Sequence, residues 1–357
     1  MVFQRLLLKY SVFCGIWAVF MGSVLMHPIA LAESAFDYEA PALEDGTYPF
    51  RFTHPAMGTD FVFDIYLREG DVGYDDIAPI AKEAFHILDS LEREISSWIS
   101  NSDTGLINKF AAEEPVPVRK RTFELLEFSA KIYEDTGGVF DITVGPLIHL
   151  WNSSLVEGKI PTSSEIAEAL TRVGMNKVKL DPKTREVSFA QAGLHIGFGG
   201  IGKGLALDMA AAYLKQQGIT SALLSGGGSS VLTIGAPPGK EFWIIGINNP
   251  YNEDKSLERL QLKDQALSTS ACYRQLAGVT EKPCGIYDPR TGQIATGLAS
   301  ATVIAQSGMQ TDALSTSFYV MGVEGVRAYC ERHPEVSAVL VENAPSMQLR
   351  ATHINRK

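Results

Sequence analysis

The run Gly197-Phe198-Gly199-Gly200-Ile201-Gly202-Lys203-Gly204 constrains this chain more than any other stretch. It follows a strand-like pattern, precedes a helix-like one and satisfies G-x-G-x-x-G literally. Taken alone, it would impose a doubly wound sheet with a dinucleotide at its switch point. The surroundings argue against that fold. The run lies past the middle of the chain, and no β-α-β series encloses it. It also approaches the P-loop phrase, but Gly204 stands where a hydroxyl would hold Mg²⁺. Two plainer readings remain. The small residues let backbone N–H groups and Lys203 approach an anion, or they let a helix pack closely.

The rest of the pattern favours α+β. Residues 48–52 and 61–66 are rich in strand formers, broken by Met57-Gly58-Thr59. Over residues 76–98, Ile77, Ile80, Ala84, Ile87, Leu88, Leu91 and Ile95 recur at helical steps. Further helices are predicted over 122–135, 163–173 (capped by Ser163), 205–217, 312–321 and 323–332. Strands are predicted over 178–180, 186–196, 222–224, 231–234, 242–247, 265–273 and 338–341, the last closing the fold. Helices and strands mix without regular alternation, which is α+β and not a Rossmann arrangement.

The 357 residues are 45% hydrophobic, enough to bury a real core. A net charge of -10 excludes a general nucleic-acid binder. Arg119-Lys120-Arg121 is too short a basic run to change that, and it reads as a solvated face. Arg5 and Lys9, the apolar residues 11–26 and Ala30-Leu31-Ala32 form the three parts of a secretory signal peptide. Residues 1–32 are therefore expected to be a signal, with an uncleaved inner-membrane anchor as the alternative. Residues 33–47 read as a polar leader, 48–345 as the folded domain and 346–357 as a tail. The expected location is outside the cytoplasm and periplasmic, either soluble or membrane-associated. Export permits disulfides. Cys272 and Cys284 could pair across a hairpin turning near Gly278, or lie with Cys330 as buried small hydrophobes.

Several residues carry chemistry in outline. Asp312 and Thr316 stand four apart in a helical pattern, so a carboxylate and a hydroxyl share one face. Such a pair can hold a hard cation, or it can be a helix-terminal acid and a threonine bonding back to its own helix. Trp98 follows a helix and reads first as core, second as a stacking platform for a planar ligand. Phe140 reads as core, and Asp141 as a ligand acceptor or a turn cap. His54, His149 and His195 have no partner at metal-ligand spacing.

In order, these phrases resemble the ApbE family of FAD:protein FMN transferases over about residues 53–341. The resemblance rests on Met57-Gly58-Thr59, on Trp98 with its serines, and on Gly138-Val139-Phe140-Asp141-Ile142-Thr143-Val144-Gly145-Pro146-Leu147 followed by Leu150-Trp151. Next come Gly199-Gly200-Ile201-Gly202-Lys203-Gly204 with Asp208, then Gly227-Gly228 and Thr269-Ser270. Asp288-Pro289-Arg290-Thr291-Gly292 and Asp312-Ala313-Leu314-Ser315-Thr316 complete it.

The resemblance implies an α+β fold of mixed, largely antiparallel sheets with packed helices. It also implies Mg²⁺-dependent transfer of FMN from FAD to a Thr hydroxyl of an exported flavoprotein, releasing AMP. By family position, Gly200 (through its carbonyl), Asp312 and Thr316 would hold Mg²⁺. Met57, Trp98, Val139, Phe140, Asp141, Lys203 and Ile286 would bind FAD. Two departures stand out. Gly285 replaces the His of the family phrase His-Ile-Ile-Asp-Pro-Arg-Thr-Gly, and Gly197 replaces an Asp. The alternative they raise is an FAD-binding homologue that is inactive, weakly active or hydrolyses FAD.

Overall fold

The computed structural model describes residues 36–37, 49–67, 74–271, 285–343 and 350–356. All of these fall in one compact unit, Ala32–Lys357. Residues 1–32, Cys272, Cys284 and the turn at Gly278 lie outside the described residues. Cys330 is described; it is free and buried.

The frame is an eight-stranded sheet whose adjacent strands all run antiparallel. Its strands are β2 (Phe50–Ala56), β3 (Thr59–Ile65), β7 (Ala222–Gly226), β8 (Ser230–Ile234), β11 (Ala266–Ala271), β12 (Leu298–Ala305), β13 (Ser337–Glu342) and β14 (Ala351–Ile354). They are ordered β14-β13-β12-β11-β8-β7-β3-β2. A three-stranded sheet joins β1 (Phe36–Asp37), β9 (Trp243–Asn249) and β10 (Asn252–Leu262). Another joins β4 (Val116–Pro117), β6 (Glu186–Phe189) and β5 (Val178–Asp181).

Both faces of the large sheet are covered. Leu223, Val231, Leu267, Ile304 and Val339 point to one side and pack on Trp243, Ile245, Ile247, Leu260 and Leu262 of the β9–β10 ribbon. Their neighbours Leu224, Leu232, Ala266, Val303 and Leu340 point the other way into the main core with the helices. Period-two side-chain geometry sends alternate residues to opposite faces. Because both faces are apolar, these strands read as continuous hydrophobic runs.

Seven helices are described: α1 (Tyr74–Ile95), α2 (Asp103–Phe110), α3 (Lys120–Asp135), α4 (Gly145–Val156), α5 (Ser163–Leu170), α6 (Gly202–Gln216) and α7 (Gly308–Arg332). Inside α7, Gly322 leaves helical geometry with φ 68°. The helix therefore kinks where the sequence predicts one helix ending and the next beginning. The α5 cap sits one residue earlier than expected. Thr162, not Ser163, accepts from the Glu165 N–H, and Glu165 returns the bond to Thr162 as a capping box.

Other expectations shift as well. The strand expected over 186–196 ends at Phe189, because residues 194–200 run instead toward the site. The strands β10, β12 and β14 and the helices α2 and α4 were not predicted. Ala351–Ile354 pairs with β13, so the expected tail supplies an edge strand and residues 338–341 are not the last one. Phe36–Asp37 of the expected leader pairs with β9.

The glycine run serves the α6–α7 crossing. A Cβ on Gly204 would collide with the Gly308 carbonyl and come within 2.8 Å of the Asp312 Cβ. The packing reading is thus met at Gly204, though helix meets helix and not sheet. Gly204→Ala should destabilise the protein by about 3 kcal/mol through overpacking. Chemical denaturation at equilibrium checks this, and an unchanged midpoint would refute it.

Candidate active site

Two helix N-termini meet at this crossing, each closed by a carboxylate of the other helix. Asp208 of α6 accepts from the Gly308 N–H (2.6 Å), the Met309 N–H (2.9 Å) and the Ser307 hydroxyl (2.8 Å). Asp312 of α7 accepts from the Gly204 N–H at 3.0 Å through Oδ2. Burial pushes the Asp208 carboxyl upward, against the lowering effect of those hydrogen bonds. Both anions sit at positive helix ends, where the dipole favours them.

Asp312 is buried, and its second oxygen, Oδ1, is lightly engaged. The Ser230 hydroxyl lies at 3.4 Å and the Lys203 ammonium at 3.6 Å. One turn on, Thr316 is half-buried and faces Gly200, where a Cβ would stand 3.8 Å from its Oγ1. The structure therefore gathers Gly200, Lys203, Asp312 and Thr316. Among the described residues, no three His, Cys, Asp or Glu side chains group as a metal site. This cluster instead offers one carboxylate with hydroxyl oxygens beside the Gly200 backbone.

Lys203 also lines a cavity of about 420 Å³ with Met57, Trp98, Phe198, Gly199 and Gly202 among its walls. That volume lies in the range of small-molecule sites. Trp98 is 93% exposed, which overturns its reading as core. The loop beneath it is pinned from below. The Ser102 hydroxyl donates to the Ser96 carbonyl at 2.6 Å, and the Thr104 hydroxyl donates to the Ile95 carbonyl at 2.8 Å. These bonds fix the backbone and leave the indole in solvent at the cavity wall. Opposite, Met57 (φ 53°) and Gly58 (φ 74°) form the two-residue turn of the β2–β3 hairpin. Positive φ at a non-glycine costs energy and tends to be retained at functional sites.

A family model described as "ApbE family" matches residues 57–340. The chain belongs to the ApbE family. An FAD:protein FMN transferase of Buchnera aphidicola is 32% identical over 235 residues, 64% of this chain and 69% of that protein. One from Klebsiella pneumoniae is 27% identical over 295 residues, 82% of this chain and 89% of its own. Among solved structures, flavin transferase ApbE from Vibrio cholerae superposes with a TM-score of 0.74 at 25% identity, covering 85% of this chain and 96% of that one. The apo flavinyl transferase ApbE of Pseudomonas stutzeri gives 0.73 at 28% identity, covering 86% and 94%.

Against the ApbE pattern, the remaining predicted residues separate. Val139, Phe140 and Asp141 are buried, and none of them lines the Trp98 cavity. The Phe140 ring lies 3.7 Å from where a Gly200 Cβ would stand. The Asp141 Oδ1 accepts from the Thr143 N–H (2.8 Å) and hydroxyl (2.6 Å), which is the turn-capping alternative. Ile286 packs on the main core. The Asp288–Gly292 turn is closed on itself. Arg290 grips Asp288 through Nε (2.9 Å) and Nη2 (2.8 Å), and the Trp151 indole donates to the Gly292 carbonyl at 2.9 Å. Gly285 has φ 74° with no atom of the described residues within 4 Å of a Cβ placed there, and a Cβ on Gly197 would come 3.9 Å from the Ser97 hydroxyl.

The sequence missed several partners. Glu92, Ser96, Ser97, Ile99 and Phe198 also line the cavity. Asn108 of α2 clamps Ile196, accepting from its N–H at 2.8 Å and donating to its carbonyl at 2.9 Å. The only signal for it is a polar residue on the buried side of a short helix. The histidines also find neighbours. His54 Nε2 lies 2.7 Å from Asp89 Oδ1, and the His149 and His195 rings meet edge-on at 5.0 Å.

Burial, aided by the charge of His149, holds the His195 imidazole below its ordinary value of 6.5. A lowered value means the unfolded chain binds the proton more readily. Stability from this group is therefore complete above pH 6.5 and is lost as pH falls through 6.5 toward the folded value. His195→Gln should flatten the fall in Tm between about pH 7 and about pH 5.5. An unchanged pH slope by calorimetry would count against it.

Proposed function

We propose that this chain transfers FMN from FAD to a threonine hydroxyl of an exported flavoprotein and releases AMP. The observation that carries the reading is the convergence of Met57, Trp98 and Lys203 on one cavity, with Lys203 reaching Asp312. The names of its relatives support the same chemistry. The signal-like residues 1–32 support an acceptor outside the cytoplasm, with the chain released or tethered to the inner membrane.

The donor set fits Mg²⁺. It consists of hard oxygens, one of them anionic and buried, with Oδ1 of Asp312 only loosely engaged. The Asp312 carboxylate, the Thr316 hydroxyl and the Gly200 carbonyl would hold the ion. Bound there, it would neutralise charge on the FAD pyrophosphate.

The chain's own residues position the reaction. The exposed Trp98 face suits the isoalloxazine ring. Gly199 and Gly202 line the cavity and let phosphates approach the α6 N-terminus. Lys203 supplies a point charge. The acceptor oxygen then bonds to the phosphorus next to FMN, the bond to AMP breaks with the bridging oxygen, and the hydroxyl proton is released. Such transfers depend on positioning and charge neutralisation.

Gly285 favours a second reading, an FAD binder with slow transfer or FAD hydrolysis, because it offers no side chain to move that proton. Incubation with FAD, Mg²⁺ and an exported flavoprotein separates the two. In-gel fluorescence of the acceptor supports transfer. AMP release without labelling supports hydrolysis, and FAD binding with neither supports the inactive form.

Asp312→Asn is expected to lower the transfer rate by about a hundredfold or more, through loss of charge neutralisation. A rate within a few-fold of the parent would remove Asp312 from the site. Gly285→His introduces one of the side chains less rare at positive φ, where no atom of the described residues lies within 4 Å of its Cβ. It should raise single-turnover transfer by up to about a hundredfold. No gain would mean that the acceptor proton leaves by another route.

A further inference from the structure

Four hydroxyls decorate the first turns of α7, and three of them turn back onto their own helix. Thr311 donates to the Gly308 carbonyl (3.0 Å), Ser315 to the Asp312 carbonyl (3.0 Å) and Ser317 to the Ala313 carbonyl (2.8 Å). That back-bonding is the ordinary habit of Ser and Thr within helices. Thr316 does not follow it among the described residues. Its Oγ1 instead lies 3.2 Å from the Ser270 hydroxyl at the end of β11. Ser270 in turn lies 3.0 Å from the Ser315 hydroxyl.

A count of protons gives this triad a direction. Each hydroxyl carries one proton and two lone pairs. Ser315 commits its proton to the Asp312 carbonyl, which can only accept. The contact between Ser270 and Ser315 therefore has Ser270 donating. Ser270 then has no proton left, so in its contact with Thr316 the threonine donates. The Thr316 proton is drawn into the protein, and its lone pairs are left to face the Gly200 side.

We infer that Ser270 and Ser315 form a one-way hydroxyl relay that fixes Thr316 as an oxygen donor to a hard divalent cation. The inference rests on reading Gly200, Asp312 and Thr316 as the cation site. A hydroxyl free to rotate would present its proton to the cation part of the time. Partners that orient a ligand are typically worth a ten- to hundredfold change in metal affinity. Ser270 and Ser315 are positioning residues, since neither is asked to touch the ion. The relay runs from the Thr316 hydroxyl to the backbone carbonyl of Asp312, so it starts and ends on the two residues whose side chains are the proposed ligands. It thereby also ties one helical turn of α7 to the edge of β11.

The test is Mn²⁺ binding to the full chain with FAD present, followed by electron paramagnetic resonance. Ser270→Ala should weaken Mn²⁺ binding by about tenfold or more, and Ser270→Thr, which keeps the hydroxyl, should restore most of it. Ser315→Ala removes the acceptor that sets the direction and should weaken binding in the same sense, by less. Ser317→Ala, whose hydroxyl lies off the relay, should bind as the parent does. If Ser270→Ala does not fold, the Ser315 and Ser317 variants carry the test. Equal affinity in the parent, Ser270→Ala and Ser315→Ala overturns the relay and leaves the cation site standing. Absence of Mn²⁺ binding by the parent chain overturns the cation site and the relay with it.

Discussion

The site depends on an exchange of carboxylates between α6 and α7. Asp208 closes the N-terminus of α7 and Asp312 closes that of α6, across a contact where Gly204 and Gly308 bring the two backbones together. Each carboxylate loses water on burial and regains hydrogen bonds at a positive helix end. The exchange fixes the Asp312 side chain through Oδ2 and leaves Oδ1 near Lys203. One residue thus both locks the helix crossing and holds an oxygen 3.6 Å from Lys203, which lines the cavity. A shift of either helix would move Lys203 on α6 relative to Asp312 and Thr316 on α7, so the geometry of the cluster follows that of the crossing.

The fold was legible where amphipathicity was one-sided. The α1 helix shows its core face as a run of Ile, Leu and Ala at helical steps, and the kink at Gly322 divides α7 where the pattern breaks. Legibility failed where burial was two-sided or the strand lay at an edge. β12, Leu-Ala-Ser-Ala-Thr-Val-Ile-Ala, is buried along its whole length and built from small residues, so no alternation marks it. β10 is charged along much of its length and sits at the edge of its sheet, and β14 carries one buried residue. Helix α2 is short, and its role is to hold the Trp98 loop and Ile196 rather than to display an apolar stripe.

The candidate site was legible within one helix and opaque between elements. Spacing alone put Asp312 and Thr316 on one helix face. It could not place Lys203 beside Asp312 or Gly200 beside Thr316, because those pairings come from a crossing of elements more than a hundred residues apart. Trp98 misled for a physical reason. Burial is the usual fate of an indole, and the loop that carries this one, pinned by the serine and threonine bonds beneath it, leaves it in solvent. Ser270 was visible as part of the Thr269-Ser270 phrase, but its partners Ser315 and Thr316 were not.

Gly285 bears on how much of the chemistry this arrangement can sustain. A glycine has no side chain to accept the proton of an attacking hydroxyl. In a loose phosphoryl-transfer transition state the bond from the nucleophile to phosphorus is little formed. The hydroxyl therefore gains little acidity until late, and a base assists the step without being its main support. Charge on the pyrophosphate is the larger obstacle, and under the proposed function Lys203 and a cation held by Asp312 and Thr316 would offset it. Of the two departures from the family phrases, the one at Gly285 therefore slows such a transfer more than it forbids it.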